Sequence, residues 1–247
     1  MADDELRYRE RAAQHPELGP DEVHVWCAAL DQPAHVLARL RGLLSADELT
    51  RASRYHFEKD ARHFVVGRGV LRTLLGRYLR RPPERLSFET NAYGKPALAG
   101  VGGPLNFNLS HSHGLALYAF THARTVGIDI EHMRADVDCG QLAGHYFSPL
   151  EVRTLLALPS GSQRQGFFNC WTRKEAYIKA RGEGLSRLLA SFDVTLAPGE
   201  PASLLRDDDE EGVTRWSLRE LSVPEGYAAA VAVEGHGWRL RRWRWSY

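Results

Sequence analysis

The sequence predicts an α+β protein built from two similar-sized lobes, each a small antiparallel sheet packed on a long helix. Two segments, 57–80 and 162–181, carry apolar side chains at helical spacing over lengths that suit long helices. In each half of the chain, strand-like runs come before and after the long helix. A length of 247 residues accommodates one large domain or two small ones. The repeated order of elements favours two lobes.

Composition and charge exclude several classes of protein. The formal net charge of +1 argues against a surface devoted to nucleic acid, although local basic clusters remain. No apolar run approaches the length of a membrane-spanning helix, and the N-terminus has no apolar signal segment. Three dispersed cysteines, Cys27, Cys139 and Cys170, suit a reducing compartment better than a disulfide framework. We therefore expect a soluble, cytoplasmic protein.

The chain opens with a polar segment, a strand and a short helix. Residues 1–20 are typical of a polar tail or a short frayed helix. Apolar side chains alternate over 22–30, which predicts a strand. In segment 44–55, Glu48 follows Ser45 by three residues, which is the capping-box pattern of a helix start.

The helix predicted over 57–80 ends before Pro82 and Pro83. Arg68 falls on its apolar stripe, four residues after Phe64. A buried guanidinium requires a carboxylate or a phosphate beside it. Of these two partners we favour a carboxylate, in an internal ion pair.

Three strand-like regions occupy the middle of the chain. Segment 85–98 predicts a strand and then a turn marked by Gly94 and Pro96. Segment 105–121 predicts two strands around a polar centre, and 125–133 predicts one more strand.

Asp129 and Glu131 lie two residues apart in the last of these strands, so both point to the same face. Their backbones are then about 7 Å apart. Carboxylates this close raise each other's pKa unless a cation is present. A solvent-facing strand surface is the commoner explanation for such a pair, and metal binding is the alternative.

The long helix of the second half is predicted from Ser162 to Arg181, with Gly182 and Gly184 as left-handed stops. Beyond it, the acidic run 206–212 predicts a solvent-facing loop. Further strands are predicted near the C-terminus, within 191–196, 216–221, 227–233 and 238–245.

Glu175 lies in the stretch WTRKEAYIKA (171–180), which holds two of the few lysines in this arginine-rich chain. A capping box with Thr172 and an exposed salt bridge to Lys179 are two ordinary explanations. However, the preceding residues already have a helical pattern, and Glu175 falls inside the apolar stripe. An inward-facing carboxylate requires a cation or a proton donor. We therefore predict that Glu175 belongs to a site, and that Lys174 is solvated.

The stretch SHSH (110–113) permits three explanations. A nucleophilic serine is one, although no G-x-S-x-G turn surrounds it. His111 and His113 on one strand face suggest a zinc pair. Alternatively, the hydroxyl and imidazole groups bind an anion. Lys95, in a turn stiffened by Pro96, is either a mobile surface lysine or one that the turn presents to a ligand.

The three acidic candidates, Asp129, Glu131 and Glu175, offer hard oxygen ligands without cysteine, which suits Mg²⁺ rather than zinc. Proteins hold Mg²⁺ through a few carboxylates together with substrate phosphates. The sequence thus suggests phosphoryl-type transfer. Positive charge for the rest of a phosphorylated substrate would come from Arg51, Lys95, His111 and Lys179.

Five stretches, taken together and in order, resemble the Sfp-type 4′-phosphopantetheinyl transferases. They are RYHFEKDARHFVVGRGVLR (54–72), YGKPAL (93–98), FNLSHS (107–112), VGIDIE (126–131) and WTRKEAYIKARGEGL (171–185). This family moves the phosphopantetheine arm of coenzyme A onto a serine of an acyl or peptidyl carrier protein. The resemblance implies a pseudo-twofold pair of α+β lobes with the site in the cleft between them. We expect the lobes to be 1–124 and 125–247.

The resemblance also implies a role for each matching residue. Asp129, Glu131 and Glu175 match the acidic triad that holds Mg²⁺ on the coenzyme A pyrophosphate. Glu175 also matches the residue favoured as base for the serine, and Lys179 matches the lysine near the leaving group. Asp129, Glu175 and Lys179 are therefore the expected catalytic residues. The other expected coenzyme A-binding positions are Arg51, Gly94, Lys95, Pro96, Asn108, Ser110 and His111.

The expected partners are coenzyme A and an apo carrier protein, with no nucleic acid and no membrane, and a monomer is the simplest expectation. Segment 134–150, with Leu142, Tyr146 and Phe147, is either a carrier-docking face or part of the core.

Two rival functions remain open at this point. One is a zinc-dependent hydrolase that uses His111, His113 and Asp129. The other is a nucleic-acid binding module that uses the arginine-rich segment 238–245.

Overall fold

The computed structural model describes residues 15–100, 103–182, 184, 187–209 and 212–247. Within these ranges the strands are β1 (Glu22–Ala29), β2 (Phe88–Thr90), β3 (Pro96–Leu98), β4 (Leu105–Ser112), β5 (Leu115–His122), β6 (Val126–His132), β7 (Asp193–Val194), β8 (Leu204–Arg206), β9 (Trp216–Glu220), β10 (Tyr227–Glu234) and β11 (Arg239–Arg244). The helices are α1 (Ala34–Arg41), α2 (Ala46–Ala52), α3 (Glu58–Leu79), α4 (Cys139–Tyr146), α5 (Pro149–Ala157), α6 (Ser160–Arg181) and α7 (Gly212–Arg215).

The first sheet has the strand order β11-β1-β5-β4. Its pairs are antiparallel except for β1 and β11, which run parallel. One face of the sheet packs on α3. There Trp26 and Ala28 of β1 share a buried cluster with Val66, Val70 and Leu74 of the helix.

The second sheet has the strand order β6-β10-β9, with antiparallel pairs, and packs on α6. The helix crosses β6 at Gly127. A Cβ added there would lie 2.1 Å from the carbonyl oxygen of Ala176 and 2.3 Å from the nitrogen of Ala180. Only a residue without a side chain permits this approach.

The other faces of the two sheets pack against each other. Val23 and Val25 of β1, Ile128 of β6, and Val231 and Val233 of β10 are wholly buried in one cluster between them. The alternation of side chains along each strand sends one set to this central layer and the other set to a helix. The molecule is therefore layered as helix, sheet, sheet, helix, with α3 and α6 outermost.

Strands β4 and β6 are edge strands of different sheets, yet they lie beside each other. Side chains of β4 take the place of a backbone ladder. Asn108 Oδ1 accepts from the backbone nitrogen of Ile128 at 2.9 Å, and Ser112 Oγ accepts from that of His132 at 3.0 Å. Buried backbone donors require such partners, and this seam brings the polar face of β4 against β6.

The α+β class is confirmed, and the bounds of β1, β6, α3 and α6 fall within two residues of the predicted segments. The capping box of α2 is present, with Ser45 and Glu48 in their predicted roles. The internal ion pair expected for Arg68 is also present, because Arg68 Nη2 lies 2.7 Å from Glu48 Oε1.

Several expectations were incomplete or wrong. Helices α1, α4 and α5 were not predicted, and only Asp193–Val194 of the segment 191–196 forms a strand. The acidic run 206–212 was predicted to face solvent, yet the Asp207 side chain is fully buried. It accepts a hydrogen bond from the Tyr177 hydroxyl and pairs with Arg187.

The arginine-rich C-terminal segment forms a strand at the edge of the first sheet. It forms β11, which returns to pair with β1 in the first sheet. Trp245 is buried in the α3 cluster, Trp243 packs against it, and Arg242 is also buried. Arg242 and the two tryptophans thus belong to the core, whereas Arg239 is 69% exposed, so nucleic-acid binding by this segment stays a prediction.

In the described ranges, no helix is long and apolar enough to cross a bilayer. Cys27, Cys139 and Cys170 are free thiols. Residues 1–14, where most of the polar tail was predicted, lie outside the described part of the chain.

Candidate active site

A cleft of three adjoining cavities surrounds Leu109 of β4, where β4 and α6 approach each other. The cavities have volumes of about 750, 420 and 260 Å³, and Leu109 lines all three. Every site residue that the family resemblance implies lines at least one of them. These residues are Arg51, Gly94, Lys95, Pro96, Asn108, Ser110, His111, Asp129, Glu131, Glu175 and Lys179.

Asp129 lies at the bottom of the largest cavity and is only 2% exposed. It points away from the layer between the sheets and toward α6, as its alternation with Ile128 and Ile130 requires. Its Oδ1 accepts from Lys179 Nζ at 2.6 Å and from Ser110 Oγ at 2.8 Å. Its Oδ2 is buried without a hydrogen-bond partner among the described residues.

Glu131 lies two residues further along β6, on the same face. Ser112 Oγ donates to its Oε2 at 2.8 Å. Burial raises the pKa of Glu131, and the negative charge of Asp129 raises it further. The two carboxylates are therefore neighbours in one cavity, as the strand alternation predicted.

Glu175 and Lys179 stand one turn apart on α6 and line the same cavity as the two β6 carboxylates. Burial raises the pKa of Glu175, and Asp129 and Glu131 add to this effect while Lys179 opposes it. Burial acts to lower the pKa of Lys179, but attraction to Asp129 and the hydrogen bond to it outweigh burial and raise the value. Strand β6 and helix α6 thus place three carboxyl groups and one ammonium group around the same cavity.

The donor set is compatible with a divalent cation. An anionic oxygen buried without a partner, as Asp129 Oδ2 is, is rare in proteins and indicates an absent donor or ion. Among the described residues, however, no three His, Cys, Asp or Glu side chains form a group that could hold a metal by themselves. Phosphate and water oxygens would have to complete the coordination, which is usual for Mg²⁺.

Lys95 is not a mobile surface lysine. Its Nζ donates to the carbonyl oxygens of Lys179 at 2.6 Å, Val126 at 3.2 Å and Ala180 at 3.3 Å. Burial lowers the pKa of Lys95 to about 8. The cation binds the last carbonyls of α6, where a positive charge is favourable, and so ties the 91–96 turn to the end of the helix.

Arg51 and His111 share the 420 Å³ cavity with Arg68 and Glu48. The Arg51 guanidinium lies 5.3 Å from the centre of the Phe64 ring. Burial and the nearby charge of Lys179 lower the pKa of His111. Since Arg68 pairs with Glu48, Arg51 is the cation of this cavity whose guanidinium forms no ion pair with another described residue.

Two alternatives from the sequence are wrong. His113 lies after the end of β4 with φ of 55° and stacks on His132 at 4.6 Å, so it shares no strand face with His111 and the zinc pair has no basis. Thr172 lies inside α6, where its hydroxyl donates to the Phe168 carbonyl at 2.8 Å, so it caps no helix.

Lys174 was expected to be solvated, but its side chain is completely buried. The error has a physical origin: charged residues usually face water, and one sequence does not show a buried partner elsewhere in the chain. Segment 134–150 belongs to the core in part, and its use as a carrier-docking face stays a prediction. Phe147 is buried in the core, whereas Tyr146 is 46% exposed and lines the main cavity.

Sequence reasoning missed several residues in and beside the cleft. Ser112 holds Glu131, and its signal was the alternation of polar residues along β4 at every second position. Trp171 lies one turn before Glu175 on the cavity wall, which its helical spacing could have shown. Leu188 and Leu189 also line the 750 Å³ cavity, and no local sequence pattern predicts this.

Comparison with known proteins gives consistent matches. The family model of the 4′-phosphopantetheinyl transferase superfamily matches residues 125–232, and the model of the 4′-phosphopantetheinyl transferase N-terminal region matches residues 32–122. The 4′-phosphopantetheinyl transferase HetI of Nostoc sp. is 42% identical over 227 residues, which cover 91% of this chain and 93% of that protein.

Two other relatives are similar over most of their length. The 4′-phosphopantetheinyl transferase psf-1 of Bacillus pumilus is 34% identical, covering 80% of this chain and 82% of its own. The 4′-phosphopantetheinyl transferase Sfp of Bacillus subtilis is 29% identical, covering 79% and 84%. Among solved structures, the Chronobacterium ammoniagenes ACPS–CoA complex covers 47% of this chain and 99% of its own, at 23% identity and a TM-score of 0.35.

Proposed function

The chain belongs to the 4′-phosphopantetheinyl transferase superfamily and is a phosphopantetheinyl transferase, and we propose that its Leu109 cleft carries out the transfer. The reaction moves the 4′-phosphopantetheine arm of coenzyme A to a serine of an apo acyl or peptidyl carrier protein and releases 3′,5′-ADP. One observation carries the assignment of the site: Asp129, Glu131, Glu175 and Lys179 all line one cavity of about 750 Å³.

We assign Mg²⁺ to the carboxylates of Asp129, Glu131 and Glu175. The unpartnered Oδ2 of Asp129 supports this assignment. The neighbouring carboxylates also support it, because their repulsion adds to burial in raising the pKa values of Glu131 and Glu175. When bound, the ion supplies positive charge to pyrophosphate oxygens.

Glu175 is the proposed base for the carrier serine. A serine hydroxyl is a weak nucleophile, and an aligned base contributes about 10²–10⁴-fold to such reactions. Lys179, one turn after Glu175 on α6 and with its Nζ 2.6 Å from Asp129 Oδ1, supplies positive charge for the leaving phosphate.

The remainder of coenzyme A is proposed to occupy the two smaller cavities. Arg51 and His111 provide charge and hydrogen-bond donors in one, and the turn that ends in Lys95 forms a wall of the other. The proposed contacts of the cosubstrate are Arg51, Gly94, Lys95, Pro96, Asn108, Ser110, His111 and Lys179.

We also propose the pseudo-twofold arrangement of two lobes, 1–124 and 125–247, with the cleft between them. The family matches end at residue 122 and begin at residue 125. Helices α2 and α5 both start with a Ser-x-x-Glu capping box, and each precedes a helix of 22 residues. In this scheme β11 is an addition that returns to the first lobe. We propose that the protein is a monomer. We also propose that it works in a reducing compartment, which suits three free thiols.

Incubation of the protein with Mg²⁺, coenzyme A and an apo carrier protein tests the assignment. Mass spectrometry should show the carrier gaining one phosphopantetheine group. Glu175→Gln and Asp129→Ala should abolish this gain, while Asp136→Asn, at an exposed position outside the cleft, should retain it. Retained activity in both cleft variants would show that the site assignment is wrong. If a chelator of divalent cations leaves transfer unchanged, the Mg²⁺ assignment is wrong.

A further inference from the structure

Lys174 is a buried cation that the proposed chemistry does not use. Its side chain is 0% exposed, on the residue that immediately precedes Glu175 in α6. Its Nζ lies 2.8 Å from Glu151 Oε1 and donates to the carbonyl oxygens of Leu189 at 2.7 Å and Phe192 at 2.5 Å. Three acceptors satisfy the three donors of an ammonium group.

Glu151 is held just as completely. Its carboxylate is 2% exposed, and it accepts from the backbone nitrogens of Ser148 at 2.9 Å and Val194 at 2.9 Å. The pair therefore connects three elements that are distant in sequence: the start of α5, the middle of α6, and the segment 189–194 that follows α6.

Residues 188–192, which overlap this segment, form one wall of the catalytic cavity through Leu188 and Leu189. Both leucines line the 750 Å³ cavity together with Trp171 and Glu175. Leu188 is 75% exposed, so few contacts of its own side chain fix its position. The bonds from Lys174 to the carbonyls of Leu189 and Phe192 hold this backbone against α6, together with the buried side chains of the same two residues.

We propose that Lys174, together with Glu151, is a positioning residue of the transfer reaction, which holds the 188–192 wall against α6 so that the cavity is formed before substrates bind. The proposal rests on the function assigned above. If the wall is in place for only a fraction of the time, the apparent dissociation constant of a ligand rises by the inverse of that fraction. Substrate at saturation restores the formed cavity, so the maximal rate is preserved.

A purely structural role has a different kinetic signature. Molecules lost irreversibly to unfolding lower kcat and leave KM unchanged. A reversibly unfolded fraction raises KM as a displaced wall does, but it speeds amide exchange throughout the chain rather than in one segment. The split between KM and kcat, read together with the location of faster exchange, therefore separates positioning of the wall from general stability.

Arg173 provides a matched control on the same helix. It is also buried, and its guanidinium donates to the Thr195 carbonyl at 2.7 Å and to Glu220 Oε2 at 2.9 Å. Neither acceptor lines the catalytic cavity. Arg173→Met thus removes a buried cation without releasing the wall.

The experiment compares Lys174→Met, Arg173→Met and the wild type by backbone hydrogen exchange and by steady-state kinetics. In Lys174→Met we expect amides of 189–194 to exchange about tenfold faster, and KM for coenzyme A or for the carrier to rise about tenfold with kcat within about twofold. Arg173→Met should leave both KM values and exchange in this segment at the wild-type level.

A second variant covers the case in which Lys174→Met fails to fold because Glu151 is left buried and charged. Glu151→Gln combined with Lys174→Met removes both charges and should show the same exchange and KM changes. Unchanged exchange of 189–194 in a folded variant overturns the proposal, and so does a loss confined to kcat. If the wild type shows no transfer at all, the function fails while the exchange result still decides whether Lys174 holds the wall.

Discussion

Gly127→Ala should uncouple the two halves of the active site, because Gly127 is the point where α6 rests on β6. Its φ is not positive, so alanine fits the backbone and only the contact with the helix opposes it. The new Cβ would lie 2.1 Å from the carbonyl oxygen of Ala176, whereas real Cβ contacts essentially never fall below 3.0 Å. Backbone atoms cannot rotate away, so α6 must withdraw by about 0.9 Å.

This displacement acts on the catalytic groups directly. The bond from Lys179 Nζ to Asp129 Oδ1 would lengthen from 2.6 Å to about 3.5 Å, beyond the normal range of a hydrogen bond. Misplacement of reacting groups by about 1 Å costs on the order of 10²-fold in rate. Overpacking should lower the free energy of unfolding by about 1–3 kcal/mol.

The assay measures kcat/KM for transfer to an apo carrier and urea unfolding of the same variants. Gly161→Ala is the control, because a Cβ at this exposed position of the same helix meets nothing within 4 Å. It should leave activity unchanged and stabilise the helix slightly. A kcat/KM for Gly127→Ala within about threefold of wild type would refute the idea that this contact sets the distance between strand and helix.

Three further predictions concern stability. Burial lowers the pKa of His24 to about 4, so the folded state binds this proton less readily than the unfolded state. The free energy of unfolding should therefore be highest above pH 6.5 and fall by at most about 3 kcal/mol as the pH decreases towards 4. In a pH series of urea unfolding midpoints, His24→Phe should remove this decline. Glu48→Gln should cost about 3 kcal/mol or more in the unfolding free energy, because Arg72 is buried and Glu48 is its carboxylate partner at 2.7 Å; a loss below about 1 kcal/mol would contradict this. Leu71→Ala should lower the free energy of unfolding by about 2–5 kcal/mol, because the Leu71 side chain is wholly buried between α3 and the first sheet. A smaller loss in urea unfolding would mean that the core closes around the space left by the side chain.

Residues whose role depends on local spacing were predictable. The alternation in β6 placed Asp129 and Glu131 on one face, and the helical period of α6 placed Glu175 within its buried stripe. The capping box of Ser45 and Glu48 was likewise readable, because donor and acceptor lie within one turn. These interactions act over a few residues, so a single sequence contains them.

Residues whose role depends on distant partners were not predictable. Lys174 looked solvated because its partner Glu151 belongs to another helix, and Asp207 looked exposed because Tyr177 and Arg187 lie in other segments. The helices α1, α4 and α5 also escaped, since short helices derive most of their stability from packing rather than from propensity.

The sequence by itself determined which faces of β6 and α6 carry acids and bases, because side-chain direction follows from the period of strand and helix. Only the tertiary structure decided that these faces meet. Gly127 lets α6 lie on β6, Asn108 joins the edges of two sheets, and Lys95 binds the end of the helix. Each of these contacts joins residues from 20 to more than 80 positions apart, and such distances are closed by the packing of the whole chain rather than by any local pattern.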